Sequence, residues 1–145
     1  MIDSILQIIS VGIVATIAMT LFSYIFSYLA NDNYKELQLL NYLIEALPSV
    51  KIAICREHIL GWTIHFSIGI LFVAIYSLLQ IYTEIDFSIL SGSIFGFVAG
   101  LVGIGGWSMG FVLHPFPPKI NKLLFFIQLL FAHLVFGFTM GGLLV

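Results

Sequence analysis

The sequence predicts an all-α membrane protein: a single domain over residues 1–145, built as a bundle of four transmembrane helices, with a short amphipathic interfacial helix between the first two. Three observations predict it. Of the 145 residues, 61% are hydrophobic and 8% charged, with a mean hydropathy of +1.14. Soluble domains carry about 25% charged residues, so a water-soluble globule of this composition could not cover its own surface. Four stretches, Ile5–Ala30, Ile59–Tyr82, Phe87–Leu113 and Leu123–Val145, contain no Asp, Glu, Lys or Arg. Each meets the length of about 20 apolar residues that a membrane-crossing helix needs. Finally, all five Lys and Arg residues fall in the gaps between these stretches. Disorder would require low hydrophobicity and high charge, and a net charge of −2 leaves no basic footprint for nucleic acid. The runs are apolar all round, whereas the strands of a membrane barrel alternate polar and apolar residues.

The first span follows Met-Ile-Asp without a basic leader, and its apolar run far exceeds the h-region of a signal peptide, so an uncleaved helix is expected. After it, Tyr34, Leu37, Leu40, Leu43, Ile44 and Leu47 recur at helical spacing, with Asn33 and Glu36 placed as an N-terminal cap pair and Pro48 as the terminator. This segment is expected to lie on the cytoplasmic membrane surface. Spans two and three are joined by a short turn carrying Glu84 and Asp86. Spans three and four are joined by His114-Pro-Phe-Pro-Pro-Lys-Ile, too rich in proline to remain helical. Lys35, Lys51 and Arg56 lie in the first connection, and Lys119 and Lys122 in the third. The positive-inside rule therefore expects a multi-pass protein of the cell (inner) membrane, with both basic loops cytoplasmic and both termini outside. Cys55, the single cysteine, reads as an inert thiol in a cytoplasmic loop.

Span three holds seven of the thirteen glycines. Gly92, Gly96 and Gly100 follow at four-residue intervals, and Gly106 and Gly110 repeat the spacing. Small residues at i and i+4 let helix backbones approach closely in lipid, which predicts span three as the central, tightly packed helix. Gly61 and Gly69 in span two and Gly137 and Gly141 in span four extend the set of expected packing positions. Histidine is the only ionisable residue in the spans. His65 and His133 lie on the glycine stripes, and span one offers a complementary stripe of Gly12, Thr16, Thr20, Ser23 and Ser27. A polar cluster of His65, His133, Thr16, Thr20, Ser23 and His114 is therefore expected, mainly in the cytoplasmic half. Trp62 and Trp107 read as interfacial anchors, and His58 as a solvated loop residue.

The two hairpins share Gly12-Ile-Val-Ala15 with Gly96-Phe-Val-Ala99, and His65-x-x-x-Gly69 with His133-x-x-x-Gly137. These short matches permit a tandem two-helix repeat without requiring one. Gly12, Ala15, Thr16, Met19 and Thr20 in span one, Gly61-Trp-x-x-His-Phe-x-x-Gly69 in span two, the Gly-rich span three ending Trp107…Met109…Pro115, and His133-x-x-x-Gly-x-x-x-Gly141 in span four resemble small bacterial four-helix membrane proteins known only as domains of unknown function. That resemblance implies a compact four-helix unit and no chemistry. The His114-Pro-Phe-Pro-Pro segment departs from the single proline usual there.

An intramembrane ionisable residue marks a functional site by default, but a neutral imidazole also serves as interhelical glue. The spans offer Ser23, Ser67 and Ser108 but no acid to orient a histidine for hydrolysis. The expectation is thus a non-enzymatic packing, assembly or accessory module that works in the lipid bilayer, as a homo-oligomer or with a membrane-protein partner, and needs no cofactor. A small permease or channel-like protein for a neutral solute or protons is the first alternative. A haem- or metal-binding redox protein using His65 and His133 is the second.

Overall fold

The computed structural model describes residues 2–45, 54–83 and 86–145, with side chains from Ser4 onward. Leu47, Pro48, Lys51 and Glu84 lie outside the described residues. Five helices run in the order α1 (Ile2–Leu29), α2 (Glu36–Glu45), α3 (Ile59–Thr83), α4 (Ile89–Leu113) and α5 (Lys122–Leu144). All but α2 are long and apolar enough to cross a membrane, so the chain is a polytopic membrane protein whose spans match the four apolar runs.

Helix α1 ends in a turn with Asn31 in the left-handed region (φ 51°), where the Asp32 amide donates back to the Ser27 carbonyl at 3.3 Å. Asn tolerates this conformation better than most residues with a side chain. The side chain of Ser88 caps α4 by accepting from the Ser91 amide, and the Ser91 hydroxyl accepts from the Ser88 amide in return. Asn121 caps α5 through the Leu124 amide at 3.2 Å.

The antiparallel helices pack in the lateral order α3, α1, α5, α4, and α3 and α4 approach each other over only a short length. The α4–α5 seam is the closest. A Cβ on Gly92 would lie 2.5 Å from the Gly137 carbonyl oxygen, one on Gly141 would lie 2.5 Å from the Ser88 carbonyl oxygen, and one on Gly96 would strike the His133 carbonyl. Gly100 also faces α5, at Leu130 and His133. In the other hairpin, a Cβ on Gly12 would lie 2.7 Å from Ile70 Cα, and one on Gly69 would collide with the Thr16 hydroxyl. Each hairpin thus brings glycines into close contact across its own helix pair.

Several expectations need correction. The central helix is α5, not α4: 44% of its most apolar stretch is buried, against 22% for α4. It packs on both α1 and α4, whereas α4 packs closely on α5 alone. A Cβ added to Gly106 would meet nothing within 4 Å, so this glycine packs against no helix, while Gly110 and Gly61 make room for Leu43 and Asn41 of α2 rather than for another span. Helix α2 is the short helix expected between the first two spans. It docks on the end of the bundle with Glu36, Leu37, Leu39 and Asn41 buried. Asn41 fastens it: Nδ2 donates to the carbonyls of Arg56 (3.0 Å) and His58 (2.9 Å), and Oδ1 accepts from the Gly61 amide at 2.8 Å. His58 is likewise structural, its Nδ1 accepting from the Leu60 amide at 3.1 Å as α3 begins.

Candidate functional site

With α3 and α4 splayed apart, a cavity of about 310 Å³ opens between them beneath α2. At the opposite end the two helices are joined by aromatic contacts, Phe72 on Phe95 and Tyr76 on Phe95, and by a 2.7 Å hydrogen bond between the Tyr76 and Ser91 hydroxyls. Beyond the cavity, Val11, Ala15, Val73, Tyr76, Phe136 and Met140 fill the bundle. The cavity is therefore a blind recess in the α2 half, walled by α1 and α5, and its flank between Ile68 of α3 and Val102 and Gly106 of α4 looks toward the bundle's apolar exterior.

His65 and His133 both line this recess, and their hydrogen bonds set their tautomers. His133 Nδ1 stands 2.8 Å from the Leu129 carbonyl. A carbonyl can only accept, so Nδ1 carries the proton and Nε2 keeps a lone pair. The Thr20 hydroxyl gives its one proton to the Thr16 carbonyl at 2.7 Å, so its 3.3 Å contact with His65 Nε2 makes that nitrogen the donor. His65 Nδ1 then keeps a lone pair as well. Neither free nitrogen has a partner among the described residues. Gly103 of α4 leaves space beside the His133 ring, where a Cβ would sit 3.4 Å from Nε2.

The third polar group is Glu36, from the first turn of α2. Instead of capping that helix, its carboxylate turns into the bundle, while Asn33 Oδ1 takes the Lys35 amide at 3.4 Å. Glu36 Oε1 accepts from the Ser23 hydroxyl (2.6 Å) and from Gln128 Nε2 (2.8 Å), and Gln128 also donates to Ser23 Oγ at 2.7 Å. Glu36 is 3% exposed. Burial pushes its carboxyl from the ordinary 4.5 up to about 6, opposed by the hydrogen bonds from Ser23, Gln128 and its own amide, and no neighbouring cation contributes. Gln128 Oε1 has no partner among the described residues.

Of the expected polar cluster, His65, His133, Thr16, Thr20 and Ser23 come together along α1, α3 and α5. Thr16 and Thr20 also bond back to carbonyls four residues earlier, while Ser23 Oγ, whose proton goes to Glu36, stands 3.1 Å from the Met19 carbonyl. His114 does not join them. Its ring stacks on Tyr42 at 4.7 Å, Nδ1 accepts from the Phe116 amide at 3.0 Å, and Nε2 lies 3.3 Å from the Tyr42 carbonyl. The proline-rich bend thus fastens the far end of α2. Trp107 packs edge-on against Phe125 at 5.2 Å and lines the cavity.

Sequence reasoning did not single out Glu36 or Gln128 for this site. The signal for Glu36 was an acid at i, i+4 and i+7 with Leu40 and Leu43, on the apolar face of an amphipathic helix. The recess therefore combines a buried carboxylate, two imidazole lone pairs and an indole within apolar walls. Among the described residues, no three His, Cys, Asp or Glu side chains stand close enough to hold a metal ion. Comparison with known proteins finds no matching family profile, no similar curated protein and no similar solved structure. The likeness to small four-helix membrane proteins therefore stands at the level of architecture, with no family assigned.

Proposed function

We propose that this chain is a non-enzymatic membrane module that holds one small lipid-soluble molecule in the recess between α3 and α4, under α2. One observation carries the reading: the recess has an apolar flank toward the lipid and a polar floor made by Glu36, His65 and His133. Ligand sites are typically cavities of about 300–1,000 Å³ with apolar walls and a few placed polar groups, and this recess falls at the small end of that range. Lys35, Arg56, Lys119 and Lys122 all lie at the α2 end of the bundle. In the orientation those cations favour, the polar floor is reached from the cytoplasmic leaflet. The blind end favours holding over conduction, because the aromatic and aliphatic packing around Tyr76 and Phe136 would have to part for a solute to pass.

Gly106 provides the test. It lines the recess, yet a Cβ there meets nothing within 4 Å, so Gly106→Phe fills the space without disturbing a helix seam. Protein purified in lipid nanodiscs is extracted with organic solvent and analysed by mass spectrometry. The wild type is expected to carry a lipid-soluble compound near one equivalent that Gly106→Phe lacks. Identical extracts from the two proteins would overturn the reading. A haem absorption band in the purified wild type would replace it with the redox alternative.

A further inference from the structure

The polar groups of the recess are hydrogen-bond acceptors, and this narrows what can occupy it. The proton on His133 is committed to Leu129, the proton on His65 to Thr20, and the Thr16 hydroxyl to the Gly12 carbonyl. What remains at the recess is the free lone pair of His65 Nδ1, that of His133 Nε2 and the unbalanced charge of the Glu36 carboxylate, with the Trp107 indole as the one lining side-chain N–H outside these bonds. Ser23 and Gln128 hydrogen-bond the carboxylate but supply no positive charge to balance it. A buried carboxylate in so apolar a setting is costly unless a charge of opposite sign comes near.

Resting on the ligand-holding reading above, we infer that the occupant is a lipid-soluble amine, bound as its ammonium, with an apolar body between α3 and α4. An ammonium offers N–H donors and no acceptor, matching a floor of acceptors. Its charge offsets Glu36, and Phe72, Phe136 and Trp107 supply aromatic faces that favour a cation. A quaternary ammonium has the charge without the donors, an alcohol has a donor without the charge, and a fatty acid places a second carboxyl against Glu36.

Four probes with one twelve-carbon tail separate these terms: dodecylamine, dodecyltrimethylammonium, dodecanol and dodecanoic acid. Each is titrated at pH 7.5 into Trp62→Phe protein in neutral-lipid nanodiscs, where Trp107 is the remaining tryptophan and reports on the recess. The signal of the same protein carrying Gly106→Phe is subtracted to remove partitioning into lipid. Hydrogen bonds to charged groups are worth about 1.5–3 kcal/mol, so dodecylamine is expected to bind at least about tenfold tighter than each of the other three. Glu36→Gln should reduce its affinity to that of dodecanol. Equal affinity for dodecanol would overturn the role of charge, and equal affinity for dodecyltrimethylammonium the role of N–H donation. Tighter binding of dodecanoic acid would overturn the inference outright. These comparisons need only the intact recess, so they stand even if Glu36→Gln fails to fold. If no probe gives a signal sensitive to Gly106→Phe, the ligand-holding reading itself falls, and the inference with it.

Discussion

A methyl group added to Gly92 should weaken the bundle, whereas the same methyl on Gly105, thirteen residues along the same helix, should strengthen it. At Gly92 the new Cβ would stand 2.5 Å from the Gly137 carbonyl oxygen, 2.7 Å from Gly141 Cα and 2.9 Å from the Gly141 amide nitrogen. All three are backbone atoms, so no side chain can swing aside. Non-bonded carbons rest at about 3.5–4.0 Å, so α5 would have to retreat by about 1 Å, and a gap of that size forfeits a quarter to a half of each dispersion contact along the seam. Overpacking of this kind costs about 1–3 kcal/mol. Replacing a helical Gly by Ala returns about 1 kcal/mol of propensity. The net for Gly92→Ala is a loss of up to about 2 kcal/mol. At Gly105 a Cβ meets nothing within 4 Å, so only the propensity gain of up to about 1 kcal/mol remains. The assay is denaturation of the detergent-solubilised protein by increasing mole fraction of dodecyl sulfate, followed by circular dichroism, with both variants run beside the wild type. Midpoints moving in opposite directions are expected. If both variants shifted the same way by similar amounts, α4 and α5 would not be in backbone contact and the glycine seam would be refuted.

The Glu36 carboxyl rises from 4.5 to about 6 on folding. The native state thus holds a proton that the unfolded state has released, and the stability from this group is full below pH 4.5 and lost as pH rises through 6. At about 1.4 kcal/mol per pH unit, the loss is about 2 kcal/mol. The difference in stability between wild type and Glu36→Gln, measured from pH 4.5 to 8, should follow that curve, and a flat difference would contradict it. His65 and His133 line the same recess, and because both proteins keep them, their contributions largely cancel in the difference. Asn41→Leu strips three hydrogen bonds from the α2–α3 junction and should cost on the order of 3 kcal/mol. It should also expose the connection before α3 to limited proteolysis, and unchanged cleavage would show that α2 is held some other way. His114→Ala removes the stack on Tyr42 but touches nothing in the recess, so the solvent extract of that variant should match the wild type. Cys55 is exposed and is the single thiol of the chain. If the basic loops are cytoplasmic, a membrane-impermeant maleimide should label it only after cells are permeabilised, and labelling of intact cells would reverse the orientation.

The four spans were legible because charge is so costly in hydrocarbon that its absence marks them almost residue by residue. The glycine stripes were legible as contacts but not as geography. Four-residue spacing shows that a face is small, yet Gly92 meets a helix while Gly106 borders open space, and only the relative tilt of α3 and α4 distinguishes them. His65, Thr16, Thr20 and Ser23 were legible as a group because they share stripes on their own helices. Glu36 was hidden because its position three residues after Asn33 fits a local capping motif. The contacts that turn the carboxylate inward come from Ser23 and Gln128, thirteen and 92 residues away along the chain. Local sequence rules cannot weigh such distant partners. His114 failed for the converse reason: its depth suggested the cluster, but the proline-rich bend carries it outward to Tyr42.

The bond between Glu36 and Gln128 also sets an order of assembly. Helix α2 emerges early in synthesis, but the amide that receives its carboxylate belongs to the last helix. Until α5 has entered the membrane, Glu36 lacks one of its two side-chain donors, and the cheapest place for its charge is the water beside the nascent chain. The roof of the bundle is therefore its last part to close. A chain stopped before α5 would present α2 undocked, with its acid and its leucines accessible to the machinery that handles unfinished membrane proteins.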